Sequence, residues 1–182
     1  MQLINEIRKF FSSSIHHSNY RVLEVQRSFD VPVEQLFSAF KSAEILKKWW
    51  WPHELYTDDV QLDFREGGKY FINMKGKAPA GGEGMTGQFE EIEPNKHIRM
   101  TDFFADKDGN AITAKKANMP GKWPKVVYID FEFEPIDKRS SRLTLHQEGI
   151  PDEMQKDCIQ GWSESFEKLE RYLSGRKRHG LF

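Results

Sequence analysis

The chain has a single cysteine, Cys158, among 182 residues. An intramolecular disulfide is therefore excluded, and nothing marks an oxidising compartment. A reactive thiol needs a basic neighbour to depress its pKa. Lys156 and Asp157 beside Cys158 point neither way, so an ordinary helix position is expected. A run of about 18 apolar residues is also missing, which excludes a membrane-spanning helix. Glu6, Arg8 and Lys9 interrupt any apolar stretch that would serve as a secretory signal, so a cytoplasmic location is the default expectation. Charge of one sign is not in excess: 27 basic residues face 28 acidic ones, a net charge of −1. Proteins that grip phosphate backbones show a basic face, so nucleic acid is not an expected partner. One basic cluster, Arg171 with Arg176, Lys177 and Arg178, reads as a solvated tail over residues 175–182.

Cofactor signatures are lacking as well. His16 and His17 have no acidic or cysteine partners at ligand spacing. Gly67-Gly68 and Gly81-Gly82 match no phosphate-cradling motif, and there is no dinucleotide fingerprint. No metal and no organic cofactor is expected.

Aromatic residues are abundant, at 13%, with fourteen Phe and five Trp. Rings in that number must be buried or line a cavity. A domain of ~150 residues buries roughly 70% of its unfolded surface, enough for a real core. Leu3, Ile4, Ile7, Phe10 and Phe11 form a helical stripe, which sets residues 1–18 apart as an amphipathic extension expected to pack on the domain or on a second copy rather than touch a membrane surface, for which a richer Lys/Arg face is usual.

From residue 20 the period changes to two. Leu23, Val25 and Phe29 alternate with polar residues, as in a half-buried strand. Asp30 and Pro32 then suit a helix start carrying Val33, Leu36, Phe37 and Phe40. A second short helix fits residues 43–49, opened by Ser42 and ended by Pro52. Strands are expected near 60–64, 70–74, 85–92 and 97–104, then a long polar loop over 105–124. Val127, Ile129, Phe131 and Phe133 alternate on a further strand, and Leu143 and Leu145 mark the last. Pro151 opens a closing helix whose apolar face carries Ile159, Trp162, Phe166, Leu169 and Leu173. The reading is an α+β domain over 19–174: an antiparallel curved sheet around a long C-terminal helix, with two short helices after the first strand. A helix laid on a concave sheet leaves a gap, the natural place for a pocket.

Five motifs in order strengthen this. They are Arg27-Ser28-Phe29-Asp30-Val31-Pro32, running on to Phe37; Lys48-Trp49-Trp50-Trp51-Pro52-His53; Asp63-Phe64-Arg65-Glu66-Gly67-Gly68-Lys69-Tyr70; Gly87-Gln88-Phe89-Glu90-Glu91-Ile92-Glu93-Pro94; and Gly161-Trp162 with Leu169 downstream. Together they resemble the heat-shock-protein-90 ATPase activator-like family of the START-like (SRPBCC, Bet v 1-like) superfamily. Val31 stands where that family usually has Ala, and Trp51 where Gly is common. The resemblance implies the helix-grip fold and a cavity, and leaves the activity open. The family's co-chaperone members add a large client-binding domain for which this chain has no room.

The expected ligand is a small apolar or aromatic molecule. Its pocket is expected to involve Trp49, Trp50, Tyr70, Ile72, Phe89, Phe131, Trp162 and Phe166, with His53 at the rim and Glu91 sharing the inward face of Phe89. Trp51 is placed nearer the surface, and His146 on the outer face of the last strand. Two other readings stand beside this one. One is a chaperone-regulating protein-interaction domain. The other is a cyclase- or hydrolase-like enzyme with His53 and Glu91 as acid and base. No nucleophile motif supports catalysis.

Overall fold

The computed structural model describes residues 21–77 and 82–178. The sequence-predicted extension, residues 1–18, lies outside them, as do the side chains of Arg176, Lys177 and Arg178 in the predicted tail.

The period-two runs form the strands they predict. In β1 (Val22–Phe29), Leu23, Val25 and Phe29 point inward while Val22, Glu24 and Gln26 face solvent. The short helices α1 (Val33–Ser38) and α2 (Ala43–Trp49) follow. Pro32, not Asp30, occupies the N-cap of α1, and no side chain caps it. The short strands β2 (Leu55–Tyr56) and β3 (Val60–Leu62) lead to β4 (Lys69–Asn73) and β5 (Lys75–Gly76). Then come β6 (Gly84–Glu93), β7 (His97–Ala105), β8 (Ala111–Ile112), β9 (Val127–Pro135) and β10 (Ser141–Glu148). A 3-10 turn at Asp152–Met154 runs into the long helix α3, Gln155–Arg178.

The main sheet has the order β1-β10-β9-β7-β6-β4-β3, every pair antiparallel, with β8 added to β7. A second sheet of two strands joins β2 to β5. The segment 105–124, expected as a loop, thus contains a hairpin back onto β7. Asp106 closes its turn, accepting hydrogen bonds from the backbone N–H groups of Asp108 and Asn110 at 2.9 Å each. A two-residue strand has no period to read, which is why β2, β5 and β8 are invisible to alternation.

Close approach requires glycine at position 87. A Cβ on Gly87 would lie 2.0 Å from the carbonyl oxygen of Thr101 on the facing strand. The same carbonyl accepts the Tyr70 hydroxyl at 2.8 Å.

The core lies between the concave face of the sheet and the helices. Rings interlock there edge to face: Phe40 on Phe131 at 4.9 Å, Phe37 on Phe133 at 5.1 Å, Phe64 on Phe89 at 5.1 Å. On α3 the buried residues are Ser165, Phe166, Leu169 and Leu173, a 3,4-spaced stripe confined to the second half of the helix. Residues 155–164 are only half-buried or exposed. The first half of the helix therefore stands over a space the core does not fill. Among the described residues no helix is long and apolar enough to cross a membrane.

Candidate functional site

That space is a cavity of about 410 Å³, within the range of small-molecule sites. Trp50, Trp51 and Pro52 form one side, following α2. Cys158, Gly161, Trp162 and Ser165 on α3 form the roof. Asp102 and Phe104 of β7, Met85 of β6 and Gln147 of β10 form the floor. Met119, Trp123, Ile150 and Met154 close the far side, and Leu55, Glu54 and Lys77 stand at the mouth. A second hollow of about 640 Å³ lies under 111–125 and shares Asp102, Phe104 and Trp123 with the first. The rings of Phe104 and Trp123, 5.0 Å apart, form part of the wall common to both.

The three consecutive tryptophans have three different settings, because neighbours at a helix end point ~100° apart. Trp49 is fully buried and donates its indole N–H to the Ala39 carbonyl at 3.2 Å. Trp50 lies against the cavity and directs its N–H to the Met85 sulfur at 3.0 Å. Trp51 is half-buried at the cavity side and donates to the Asn73 carbonyl at 2.6 Å. Ser165 then ties α3 to this segment, its hydroxyl donating to the Trp50 carbonyl at 3.0 Å.

The floor carries a polar chain. Trp162 Nε1 donates to Gln147 Oε1 at 2.9 Å, and Gln147 Nε2 donates to Asp102 Oδ2 at 3.3 Å. Asp102 is half-buried and touches both hollows. Burial lifts its pKa to about 7, against a weaker downward pull from the Gln147 hydrogen bond. Burial likewise pushes the Cys158 thiol up to about 11, helped by the nearby charges of Asp102 and Asp157. A thiol so placed is a poor nucleophile at neutral pH. Burial, aided by Asp102, pushes the Tyr70 hydroxyl far above its usual range, so it acts only as a neutral donor.

Of the sequence-predicted pocket residues, the structure brings Trp50 and Trp162 together at the cavity, their rings 5.5 Å apart. Trp49, Tyr70, Ile72, Phe89, Phe131 and Phe166 are buried in the packed core beside it and do not line it. They support the wall from behind: Phe131 meets Trp162 at 5.7 Å and Trp50 at 6.1 Å. His53 is exposed outside the cavity, its Nε2 3.0 Å from Glu167 Oε2. Glu91 does not share the inward face of Phe89. A register shift between Phe89 and Glu91 turns the carboxylate outward, where it lies 3.7 Å from His97. His53 and Glu91 therefore do not converge on a common centre. His146 is on the outer face of β10 between Glu24, at 3.1 Å, and Glu132, at 3.6 Å.

Asp102 and Gln147 are marked by the same alternation. Asp102 continues the inward alternation of Ile98 and Met100, and Gln147 that of Leu143 and Leu145. A polar residue in phase with a buried face is the signal of a cavity floor. Among the described residues no group of His, Cys, Asp and Glu side chains could hold a metal ion.

Comparison with known proteins agrees with this architecture. No curated protein matches the sequence. Among solved structures, a protein of Chromobacterium violaceum is 25% identical, covering 84% of this chain and 96% of its own, with a TM-score of 0.65. An AHSA1 protein of Silicibacter pomeroyi is 25% identical, covering 86% and 99%, with a TM-score of 0.66. An Arthrobacter aurescens protein, at 23% identity, 85% and 86% coverage and a TM-score of 0.68, shares the fold. A family profile matches residues 30–174, most of the described chain. The helix-grip sheet, the long closing helix and that match together place the chain in the family of activator of Hsp90 ATPase homolog 1-like proteins.

Proposed function

We propose that this protein binds a small hydrophobic or aromatic molecule in the cavity between the sheet and the first half of α3. The observation that carries the reading is the cavity itself. Trp50, Trp162, Phe104 and Trp123 offer it ring surface, while Gln147 and Asp102 place a few polar atoms on its floor. Apolar walls with sparse, convergent polar groups are the usual composition of a ligand site. His53 and Glu91, paired with different partners and both outside the cavity lining, lend no support to acid–base catalysis.

The test is titration with N-phenyl-1-naphthylamine, a neutral apolar dye that brightens on leaving water. Saturable binding with quenching of tryptophan emission, weakened in Trp162→Ala, is the expected result. Absence of binding by the wild-type protein would remove the ligand reading and favour a protein-interaction role of the chaperone-regulating kind.

A further inference from the structure

The cavity lining is unevenly charged. Asp102 is on the floor, and Glu54, Asp157 and Glu164 stand around the opening. Lys77 is the one cationic residue among the described lining residues, and it is exposed at the mouth. Lys168, near the opening, is already engaged: its ammonium donates to the carbonyls of Pro52 at 2.9 Å and Leu55 at 2.8 Å. Glu164 also has partners, the His53 backbone N–H at 3.2 Å and the Gln160 amide at 3.0 Å. Asp102 differs. Among the described residues its hydrogen-bond donor is Gln147, and no cation stands opposite it. Asp102 is half-buried, and its second oxygen is open to the cavity with no cation beside it among the described residues, which leaves a seat for a cationic group.

The aromatic walls favour the same kind of occupant. Indole faces attract cations through their quadrupole, most strongly where water is excluded. Trp50 and Trp162 stand edge to face at the Asp102 end, and Trp123 is part of the far side. An organic anion would meet four carboxyl groups and one exposed ammonium. A neutral molecule offers Asp102 a hydrogen bond at most, without the charge assistance that an ammonium brings.

We infer that the ligand is an organic amine, with an ammonium group that pairs with Asp102 and an apolar or aromatic body lying among Trp50, Trp162 and Trp123. This rests on the cavity being a ligand site and adds the chemical class. Tyr70 and Cys158, both neutral at pH 8, lie near Asp102, and Asp157, Glu54 and Glu164 line the same cavity. Pairing with an ammonium favours the ionised carboxyl, so an occupied cavity draws a proton off Asp102.

The experiment uses the full chain at pH 8 with N-phenyl-1-naphthylamine bound. Three competitors share one ring system: 2-(1-naphthyl)ethylamine, a cation; 2-(1-naphthyl)ethanol, neutral; and 1-naphthaleneacetate, an anion. The amine should displace the dye at concentrations about tenfold or more below the alcohol, with the acetate weakest. In Asp102→Asn, which keeps size and the Gln147 contact, the advantage of amine over alcohol, each referred to that variant's own dye affinity, should fall to within about threefold. Equal displacement by all three, or preference for the acetate, overturns the amine assignment and leaves the cavity standing as an apolar site. An amine advantage that survives Asp102→Asn overturns the role of Asp102. If neither dye nor any naphthyl compound binds the wild-type chain, the ligand reading itself fails and this inference with it.

Discussion

Trp162 donates its indole N–H to the side-chain oxygen of Gln147 at 2.9 Å, joining α3 to β10 across the cavity. Gln147 is only 5% exposed, so the oxygen has little water to turn to. Trp162→Phe keeps a ring but orphans that acceptor, and should cost about 1–2 kcal/mol. Trp162→Ala also removes ring contacts with Trp50, Phe131 and Phe166, and should cost about 3 kcal/mol. Urea unfolding of the two variants checks the order. Equal losses would show that the ring contacts add nothing beyond the hydrogen bond, and an unchanged Trp162→Phe would show that the hydrogen bond adds nothing.

Asp102 makes stability depend on pH. Its folded pKa, about 7, exceeds the usual 3.8, so the folded chain holds this proton more tightly than the unfolded one. Stability from this group therefore falls as pH rises from about 4 through 7. At ~1.4 kcal/mol per pH unit the full cost is about 4 kcal/mol, and solvent reaching the cavity lowers it to about 2. Asp102→Asn should accordingly raise Tm at pH 8 and leave it nearly unchanged at pH 4. The difference between the two melting profiles isolates Asp102 from the other titrating groups. A variant less stable than wild type at pH 8 would refute the buried-carboxyl account.

Cys158 gives the cavity a built-in reporter, since the chain has no other thiol. With the thiol pushed up to about 11, alkylation by iodoacetamide should be slow at pH 8 and accelerate toward pH 11. Bound naphthyl dye should slow it further by covering the sulfur. Mass spectrometry of the modified chain reads both effects. Rapid labelling at pH 7, indifferent to the dye, would place the sulfur outside the ligand's reach.

Phe131 is fully buried beneath both cavity tryptophans and packs on Phe40. Phe131→Ala should cost about 3–5 kcal/mol and loosen the wall as well. Guanidinium unfolding measures the first and dye affinity the second. A small stability loss would mean that the core collapses around the missing ring.

Removing residues 1–18 should leave the domain folded, because the first described strand begins at Val22 and the family match at residue 30. A change in self-association is also expected, since the removed stretch carries the apolar stripe Leu3, Ile4, Ile7, Phe10 and Phe11. Sedimentation of the full and shortened chains reads both. Unfolding of the shortened chain would move the domain boundary, and identical sedimentation would remove the dimer idea.

Local periodicity was enough for the architecture. Alternation in 127–133 and 143–145 and the 3,4 spacing from Phe166 to Leu173 are properties of neighbouring residues, and each segment buries the face its pattern marks, while Ile159, expected on the same helix face, is exposed. The site is another matter. Large rings are equally apolar whether they fill a core or wall a cavity, so composition cannot separate Phe131 and Phe166 from Trp50 and Trp162. That division depends on where α3 leaves the sheet, and it does so before Ser165. Glu91 shows the same limit from the other side: strict alternation puts it beside Phe89, and one register shift in β6, set by pairing with β7, turns it to solvent. Asp102 lay in phase with Ile98 and Met100 all along, but its raised pKa comes from the apolar atoms that α3, β10 and the 119–123 segment bring around it, none of them near it in the chain.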